Sequence, residues 1–507
     1  MKRLLLIFSL IFCFASFASA QQPKYAVVIV VDGMRPDYMT IASMPNLQKL
    51  IKRGSSYTDA WVGGVVNNTP PSHASIASGC FTRTHGIVAF TWKDPITGEE
   101  RNPTMLQPIM KGELAKIASE NNAPSLGKLL KEHDPSAKIA AVGAHKFYAV
   151  GALAFNSADY SIFIGETGHK VEQGMEGAAD DTGVGSFVKG KSPPKETYRK
   201  IRAMKSAGDD WGMEAAVTVL NDLKPQVMFI NLPVTDGTGH AAAGILSPNI
   251  MRPVLENVDM LIGKLVEAYK KLGIYDETLF IVTADHGMMF DESPAPGNIV
   301  NKAMDKYGVK IVTSTGNGPI WISDSSKSKD VAEYIMAAKP RAASGGYYKT
   351  KVDDKYVYKP VPTTEKTIDP KLAATYEYLL STVACANGPD IFLCSIEPTT
   401  TPPDIRKHGR HYQIAWGAQH IPMVFAGPGI KKGFVSKSPA RIVDIAPTVL
   451  ALMGVEPKGM DGIVLADILK NPKKNQKSAQ KKINAQLTPA RDALRDQSKY
   501  DPTAVGK

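Results

Sequence analysis

The chain has 507 residues, a formal net charge of +11, 43% apolar residues and four cysteines, values that exclude a disulfide-stapled scaffold and a fully disordered chain. The charge is confined: Lys2 and Arg3 open the sequence, and residues 470–507 carry ten basic against three acidic side chains. The body between them is nearly neutral, so the basicity does not indicate a nucleic-acid-binding fold.

Met1 to Ala20 reads as a secretory signal, with a basic start, an apolar run from Leu4 to Phe17 and an Ala18-Ser19-Ala20 exit. That run is too short to span a bilayer and no later stretch is long and apolar enough, which predicts an exported chain, periplasmic or secreted. Cleavage removes Cys13. Of the others, Cys385 and Cys394 are spaced to close a short loop in an oxidising compartment, and Cys80 reads as a buried small apolar residue. Residues 21–507 exceed one simple core and predict one large domain with insertions, or two, with residues 21–469 as the main part.

Ala26-Val27-Val28-Ile29-Val30-Val31 is a β-branched run of the kind buried on both faces of a sheet, and it stops at Asp32-Gly33. Met44 to Arg53 reads as a helix closed by Gly54. Asn67-Asn68-Thr69-Pro70-Pro71-Ser72-His73 then opens another, with Thr69 as its N-cap and Pro70 in the first turn. A helix around Ser125 to His133 precedes a short strand from Lys138 to Ala144. Val227 to Leu232 is the next strand, running into Thr235-Asp236-Gly237-Thr238-Gly239-His240. Met251 to Leu272 is helical, and Leu279 to Thr283 delivers Ala284-Asp285-His286-Gly287.

Strands alternating with helices predict an α/β fold, a mainly parallel sheet sandwiched by helices, with ligands bound beyond the strands' carboxyl ends. The pattern weakens at about 155–195 and 290–412, read as cap or lid insertions. It resumes at His420 to Gly427 and closes with a helix from Ile442 to Met453. Residues 470–507 read as a polar basic tail, mobile or weakly helical.

Asp32, Asp236, His240, Asp285, His286 and His420 each lie close to the end of a predicted apolar strand. Taken singly they have plainer readings, as turn residues or caps, and His85, His133, His169 and His408 are left as structural or exposed. Taken together with the Thr69 hydroxyl they exceed what one tetrahedral ion accepts and suit two. Mixed nitrogen and oxygen ligation suits zinc first, with manganese or iron as alternatives. Two divalent ions against three carboxylates leave excess positive charge, which favours an ionised Thr69 and a bound phosphate ester. A nucleophilic Thr69 splits the displacement into two steps through a phosphothreonine.

These pieces resemble the alkaline phosphatase superfamily, most closely its nucleotide pyrophosphatase/phosphodiesterase branch. The matching segments are Val31-Asp32-Gly33-Met34-Arg35, Thr69-Pro70-Pro71-Ser72-His73, Thr84-His85-Gly86-Ile87, Asp236 to His240, Ala284-Asp285-His286-Gly287-Met288 and Gly417-Ala418-Gln419-His420. The resemblance implies one zinc held by Asp236, His240 and His420, another by Asp32, Asp285 and His286, and Thr69 as a nucleophile bridging toward it.

The chain departs from that family at the substrate. Where related enzymes place an Asn after His-Gly-Ile to donate to a phosphoryl oxygen, this chain has Phe90, and Asn67, Asn68 and Lys146 are the candidate substitutes. Where Thr-type monoesterases carry Lys-x-Arg, it has Lys146-Phe147-Tyr148. Phe90, Trp92 and Tyr148 are candidates for an aromatic slot. The expectation is a secreted two-metal phosphodiesterase or pyrophosphatase acting on a small-molecule phosphoester, with Asn68, Phe90 and Lys146 at the substrate. A phosphomonoesterase on the same scaffold and a catalytically lapsed metal-binding protein are the alternatives.

Overall fold

The strand Tyr25–Val31 lies at the centre of a nine-stranded sheet in a computed structural model that describes residues 22–165, 183–242, 244–290, 296–316, 318–340, 342–395, 408–411 and 414–497. Ala26 to Val31 have no exposed surface, which requires cover on both faces of the sheet. Helices Pro45–Arg53, Gly208–Leu223 and Pro248–Lys271 pack as one group, and Thr69–Ser78, Leu126–His133, Phe147–Ala154 and Ile445–Leu452 as another.

Tyr25–Val31 is parallel to Val227–Leu232 on one side and to Thr278–Thr283 on the other. Val31 pairs with Leu232 and Val30 with Thr283, so the three strands end nearly level and the segments carrying Asp32, Asp236 and Asp285 leave from one edge. Ile139–Gly143 continues the parallel sheet, and Met423–Ala426 joins it antiparallel beside Thr278–Thr283.

Residues 311–395 build a second sheet of five antiparallel strands, in the order Ile311–Ser314, Pro319–Ile322, Ile391–Ser395, Ala343–Val352, Lys355–Pro360. It has its own apolar cluster, including Val300, Ile320, Val331, Ile335, Ile391 and Leu393. Thr91 Oγ1 bonds to Thr313 Oγ1 at 2.6 Å, tying this sheet to the segment just after Phe90.

Four expectations change. Within the insertion expected at 155–195, Tyr160–Ile164 is instead a strand of the main sheet, parallel to Ile139–Gly143, with Val184–Ser186 antiparallel beyond it. The strand is five residues long and Ser161 interrupts its apolar residues, too short a pattern for periodicity to separate from a loop. Residues 474–497 of the expected tail form a 24-residue helix, because Ile483, Leu487, Ala490 and Leu494 make an apolar stripe that packs on the helix Pro370–Ser381. Cys385 and Cys394 are free thiols with separate surroundings. Cys394 is buried near Tyr347 and Tyr376, whereas Cys385 lies near Lys349 and Tyr358. The N-cap of the 69–78 helix is Asn68, with extended backbone, and Thr69 is the first helical residue. Among the described residues no helix is long and apolar enough to cross a membrane. The signal, residues 1–20, and part of each expected insertion, residues 166–182 and 396–407, lie outside the described residues.

Candidate active site

Asp32 leaves its strand through a turn at Gly33, where φ is +70° and an added Cβ would lie 3.0 Å from Asp236 Cα. Only glycine meets both conditions without strain. The Gly33 N–H donates to Asp285 Oδ1 at 3.1 Å, joining two of the three strand ends. Asp236 and His240 stand four apart on the helix Val234–Ala242, so both face the same way. Asp32, Asp236, Asp285 and His286 are all at least 97% buried.

Three imidazoles share one arrangement. His240 Nδ1 donates to the Gly409 carbonyl at 2.6 Å, His411 Nδ1 to the Asn67 carbonyl at 3.1 Å, and His286 Nδ1 to the Gly287 carbonyl at 2.9 Å. Each therefore turns Nε2 toward the carboxylates. His240 Nε2 and His411 Nε2 are 3.1 Å apart and lie 3.4 and 3.5 Å from Asp236 Oδ1. His286 Nε2 lies 3.1 Å from Asp285 Oδ2 and 3.5 Å from Asp32 Oδ1. The rings of His286 and His411 stack with centroids 3.4 Å apart.

These groups fit metal ions on three counts. Two imidazoles that both carry the proton on Nδ1 oppose lone pairs at Nε2, an arrangement that needs a cation between them. Separations of 3.1–3.5 Å match the edge of a tetrahedron of nitrogen and oxygen ligands, about 3.3 Å for bonds of about 2.0–2.1 Å. Asp236 Oδ1, Asp285 Oδ2 and His286 Nε2 are buried and without hydrogen-bond partners among the described residues. An outward N–H held by a backbone carbonyl is also the usual support of a metal-bound histidine. The described residues thus hold candidate metal clusters, Asp236 with His240 and His411, and Asp32 with Asp236 and His286.

His420, expected among the ligands, is not with them. Its Nε2 bonds to the Thr58 carbonyl at 2.9 Å and its ring stacks on Trp416 at 4.5 Å. His411 takes the corresponding place. The criterion of standing next to an apolar strand selected His420, whereas His411 follows a two-residue strand, Gly409–Arg410, paired with Met289–Phe290 just beyond Asp285-His286. That pairing joins residues too far apart in sequence to be read from either segment.

Thr69 is 1% exposed at the helix start. Its carbonyl accepts from His73 Nδ1 at 2.8 Å, one turn on, and the same nitrogen lies 3.4 Å from Asp285 Oδ2. His73 Nε2 accepts from Asn231 Nδ2 at 2.9 Å, and that amide also donates to Asp32 Oδ2 at 3.2 Å. Both nitrogens of His73 are committed, so it positions Thr69 and, through Asn231, Asp32. Sequence reasoning did not assign either residue, although the four-residue step from Thr69 to His73 was visible.

Lys146 Nζ lies between two carboxylates, 2.8 Å from Asp32 Oδ1 and 2.5 Å from Asp236 Oδ2. Burial opposes its charge, yet the two aspartates raise its pKa well above the ordinary value. Burial likewise works against the Asp236 carboxylate, but Lys146 and the neighbouring imidazoles hold its pKa below the usual range. Asp32 goes the other way, raised by burial and then by Asp285. For His286 burial is outweighed by Asp285 and its fellow carboxylates, which raise the pKa to about 9. His411 is pushed well below its ordinary value by burial and by His286, which keeps it neutral and able to act as a ligand. His85 is buried, lowered to about 3 by that burial, and bonded to Ser75, a structural role.

Of the candidate substitutes for the missing donor, Asn67 spends its amide N–H on the Ala418 carbonyl and Lys146 is held by carboxylates. Asn68 is wholly buried beside Thr69, and neither its Nδ2 nor its Oδ1 has a partner among the described residues. Phe90 is half-buried and meets Tyr148 edge-on at 5.0 Å, whereas Trp92 is fully buried and lines no slot.

A family profile described as type I phosphodiesterase / nucleotide pyrophosphatase matches residues 26–379. The bis(5'-adenosyl)-triphosphatase ENPP4 of Homo sapiens is 26% identical over 288 residues, 56% of this chain and 52% of that protein. The chain spans about half the length of the first curated relatives it matches. Among solved structures, wild-type alkaline phosphatase PafA superposes with a TM-score of 0.63 at 17% identity, covering 88% of this chain and 99% of that one. Murine ectonucleotide pyrophosphatase / phosphodiesterase 5 gives 0.58 at 18% identity, covering 88% and 100%. At these identities the superpositions establish the fold.

Proposed function

Because the chain belongs to the type I phosphodiesterase / nucleotide pyrophosphatase family, which is metal-dependent, we propose that it is an exported phosphodiester or pyrophosphate hydrolase with Thr69 as nucleophile. The observation that carries the reading is the set of three imidazoles turned inward by the Gly409, Asn67 and Gly287 carbonyls onto three buried carboxylates. One ion would be held by Asp236, His240 and His411, the other by Asp32, Asp285 and His286, with the Thr69 oxygen toward the second. The mixed donor set favours zinc over manganese or iron. When bound, the two ions supply positive charge for the attacking and departing oxygens.

This chain's own groups do the rest. The His73 hydrogen bond fixes the Thr69 backbone, so its hydroxyl is presented at a helix start, where the dipole favours an anionic oxygen. Attack of Thr69 Oγ1 on phosphorus forms a P–O bond as the bond to the leaving alcohol or phosphate breaks. Water then cleaves the phosphothreonine, releasing a phosphomonoester and restoring the hydroxyl. Asn68 is the donor to a non-bridging oxygen, since its side-chain N–H beside Thr69 has no partner among the described residues, whereas that of Asn67 is spent on the Ala418 carbonyl. Lys146, held by Asp32 and Asp236, orients those carboxylates and offers less charge to a substrate than a free ammonium would.

That commitment of Lys146 favours diesters over monoesters, because a monoester dianion gains more from added cationic donors. The Phe90–Tyr148 pair supplies a wall for the second ester substituent, and a nucleoside suits an aromatic wall. The curated relative acting on a bis-adenosyl triphosphate supports that substrate class. Comparing kcat/KM for bis-nitrophenyl phosphate and nitrophenyl phosphate tests it. The diester should be preferred, and a tenfold preference for the monoester, about 1.4 kcal/mol in the transition state, would overturn the assignment.

A further inference from the structure

Between the helix Lys474–Gln497 and the edge of the main sheet lies a cavity of about 470 Å³ whose lining includes Lys431, Lys470, Lys477, Gln480, Lys481 and Asn484. Positions 477, 480, 481 and 484 follow the spacing of one helical face. Lys470, Lys477 and Lys481 are exposed, with no carboxylate at ion-pair distance among the described residues. The one acid in the lining, Asp467, is already committed. Its carboxylate accepts from the Tyr57 hydroxyl at 2.7 Å and Ser436 Oγ at 2.5 Å, and its carbonyl accepts from Lys431 Nζ at 2.6 Å.

The helix itself is charged against its own interest. Its first turn holds no acidic residue, Lys474 and Lys477 stand at the end where the backbone dipole is positive, and Lys477 and Lys481 are like charges one turn apart. Gln480 is 4% exposed. Its Oε1 accepts from the Asp467 N–H at 2.8 Å, and its Nε2 has no partner among the described residues. An oxyanion bound in the cavity answers Lys477 and Lys481 together and supplies the acceptor that Gln480 Nε2 lacks.

We propose that this cavity is an anion site for a phosphate group, carried either as free inorganic phosphate or as the headgroup of an acidic lipid. Equilibrium dialysis of the full chain against radiolabelled orthophosphate tests it, with bis-nitrophenyl phosphate hydrolysis as the control for the catalytic centre. Parent protein should bind one equivalent more than the Lys477→Glu/Lys481→Glu variant, while both hydrolyse the diester at the same rate. Gln480→Leu, which keeps every charge, should weaken that equivalent about tenfold. Lys474→Glu/Lys482→Glu makes the same charge change outside the cavity lining and should leave it in place. Equal stoichiometry in the parent and the 477/481 variant, or equal loss in the two double variants, overturns the site. Sedimentation with phosphatidylcholine vesicles with and without phosphatidic acid identifies the source. Pelleting that needs phosphatidic acid and Lys477/Lys481 assigns the lipid headgroup, and phosphate binding without pelleting assigns the free ion.

Discussion

Two buried groups of charges, one at the ends of the central strands and one beneath the five-stranded sheet, show how satisfied and unsatisfied polar atoms divide structure from chemistry. Asp390 is 1% exposed and fully served: it takes Lys93 Nζ at 2.6 Å, Ser325 Oγ at 2.9 Å and the Ile322 N–H at 3.0 Å, with Lys349 Nζ at 3.8 Å. Nothing is left over for a ligand. At the strand ends Asp236 Oδ1, Asp285 Oδ2 and His286 Nε2 are equally buried and, among the described residues, make no hydrogen bond, meeting one another and the neighbouring ligand groups at 3.1–3.5 Å. Leaving such atoms unmade costs roughly 1–3 kcal/mol each, so their persistence in one cluster marks a place completed by something other than protein.

The largest effect that sharpens this contrast is at Thr69. Thr69→Ala should lower turnover by at least about 10³-fold while leaving metal content unchanged, and Thr69→Ser should retain activity. Near-parental hydrolysis by the alanine variant would mean that water attacks the substrate directly.

Next comes the division of ligands. Elemental analysis should find about one ion lost in Asp236→Ala or His411→Ala and the other in Asp32→Ala or Asp285→Ala. His420→Ala should keep both, since its ring faces Thr58 and Trp416. Loss of an ion from the His420 variant and not from the His411 variant would reverse the assignment made here.

The satisfied cluster should respond in the opposite sense. Asp390→Ala takes the carboxylate from Lys93, which is largely but not wholly buried and keeps the Ile322 carbonyl and Ser325 Oγ, so the cost should lie at or below the about 3–5 kcal/mol of a fully buried pair. Denaturant unfolding should show that destabilisation with both ions still bound. A variant that unfolds normally but loses metal would break the comparison.

A pH effect follows from His286. In metal-free protein its pKa stands at about 9 against an ordinary 6.5, because carboxylates outweigh burial. A pKa raised on folding gives stability that is fully present below about pH 6.5 and lost as pH rises through 9. Chelator-treated protein should therefore melt at a lower temperature at pH 9.5 than at pH 6. His286→Gln should flatten that difference, and an unchanged profile in the variant would remove His286 as its source.

The smallest effect is expected at Phe90. Phe90→Ala should raise KM for a nucleotide diester several-fold with little change for nitrophenyl phosphate, the outcome expected of a Phe90–Tyr148 ring pair that walls the proposed site of the second substituent. Equal changes for both substrates would place Phe90 in packing alone.

Much of this architecture was legible along the chain. The β-branched run from Ala26 to Val31, and the stops at Asp32 and Asp285, are local signals, since burial on both faces demands apolar residues and a strand must end where polar ones begin. Asp236 and His240 were legible only as residues just past a strand end, and the helix Val234–Ala242 that puts both on one face is what the structure adds. Tertiary structure alone decided which late histidine joins them. His411 reaches the cluster through the pairing of Gly409–Arg410 with Met289–Phe290, and that register depends on contacts between segments about 120 residues apart. It also decided that Lys146 sits between Asp32 and Asp236, and that residues 474–497 pack as a helix despite their charge. Sequence fixes what each segment can bury, whereas the partner against which it is buried is a property of the whole fold.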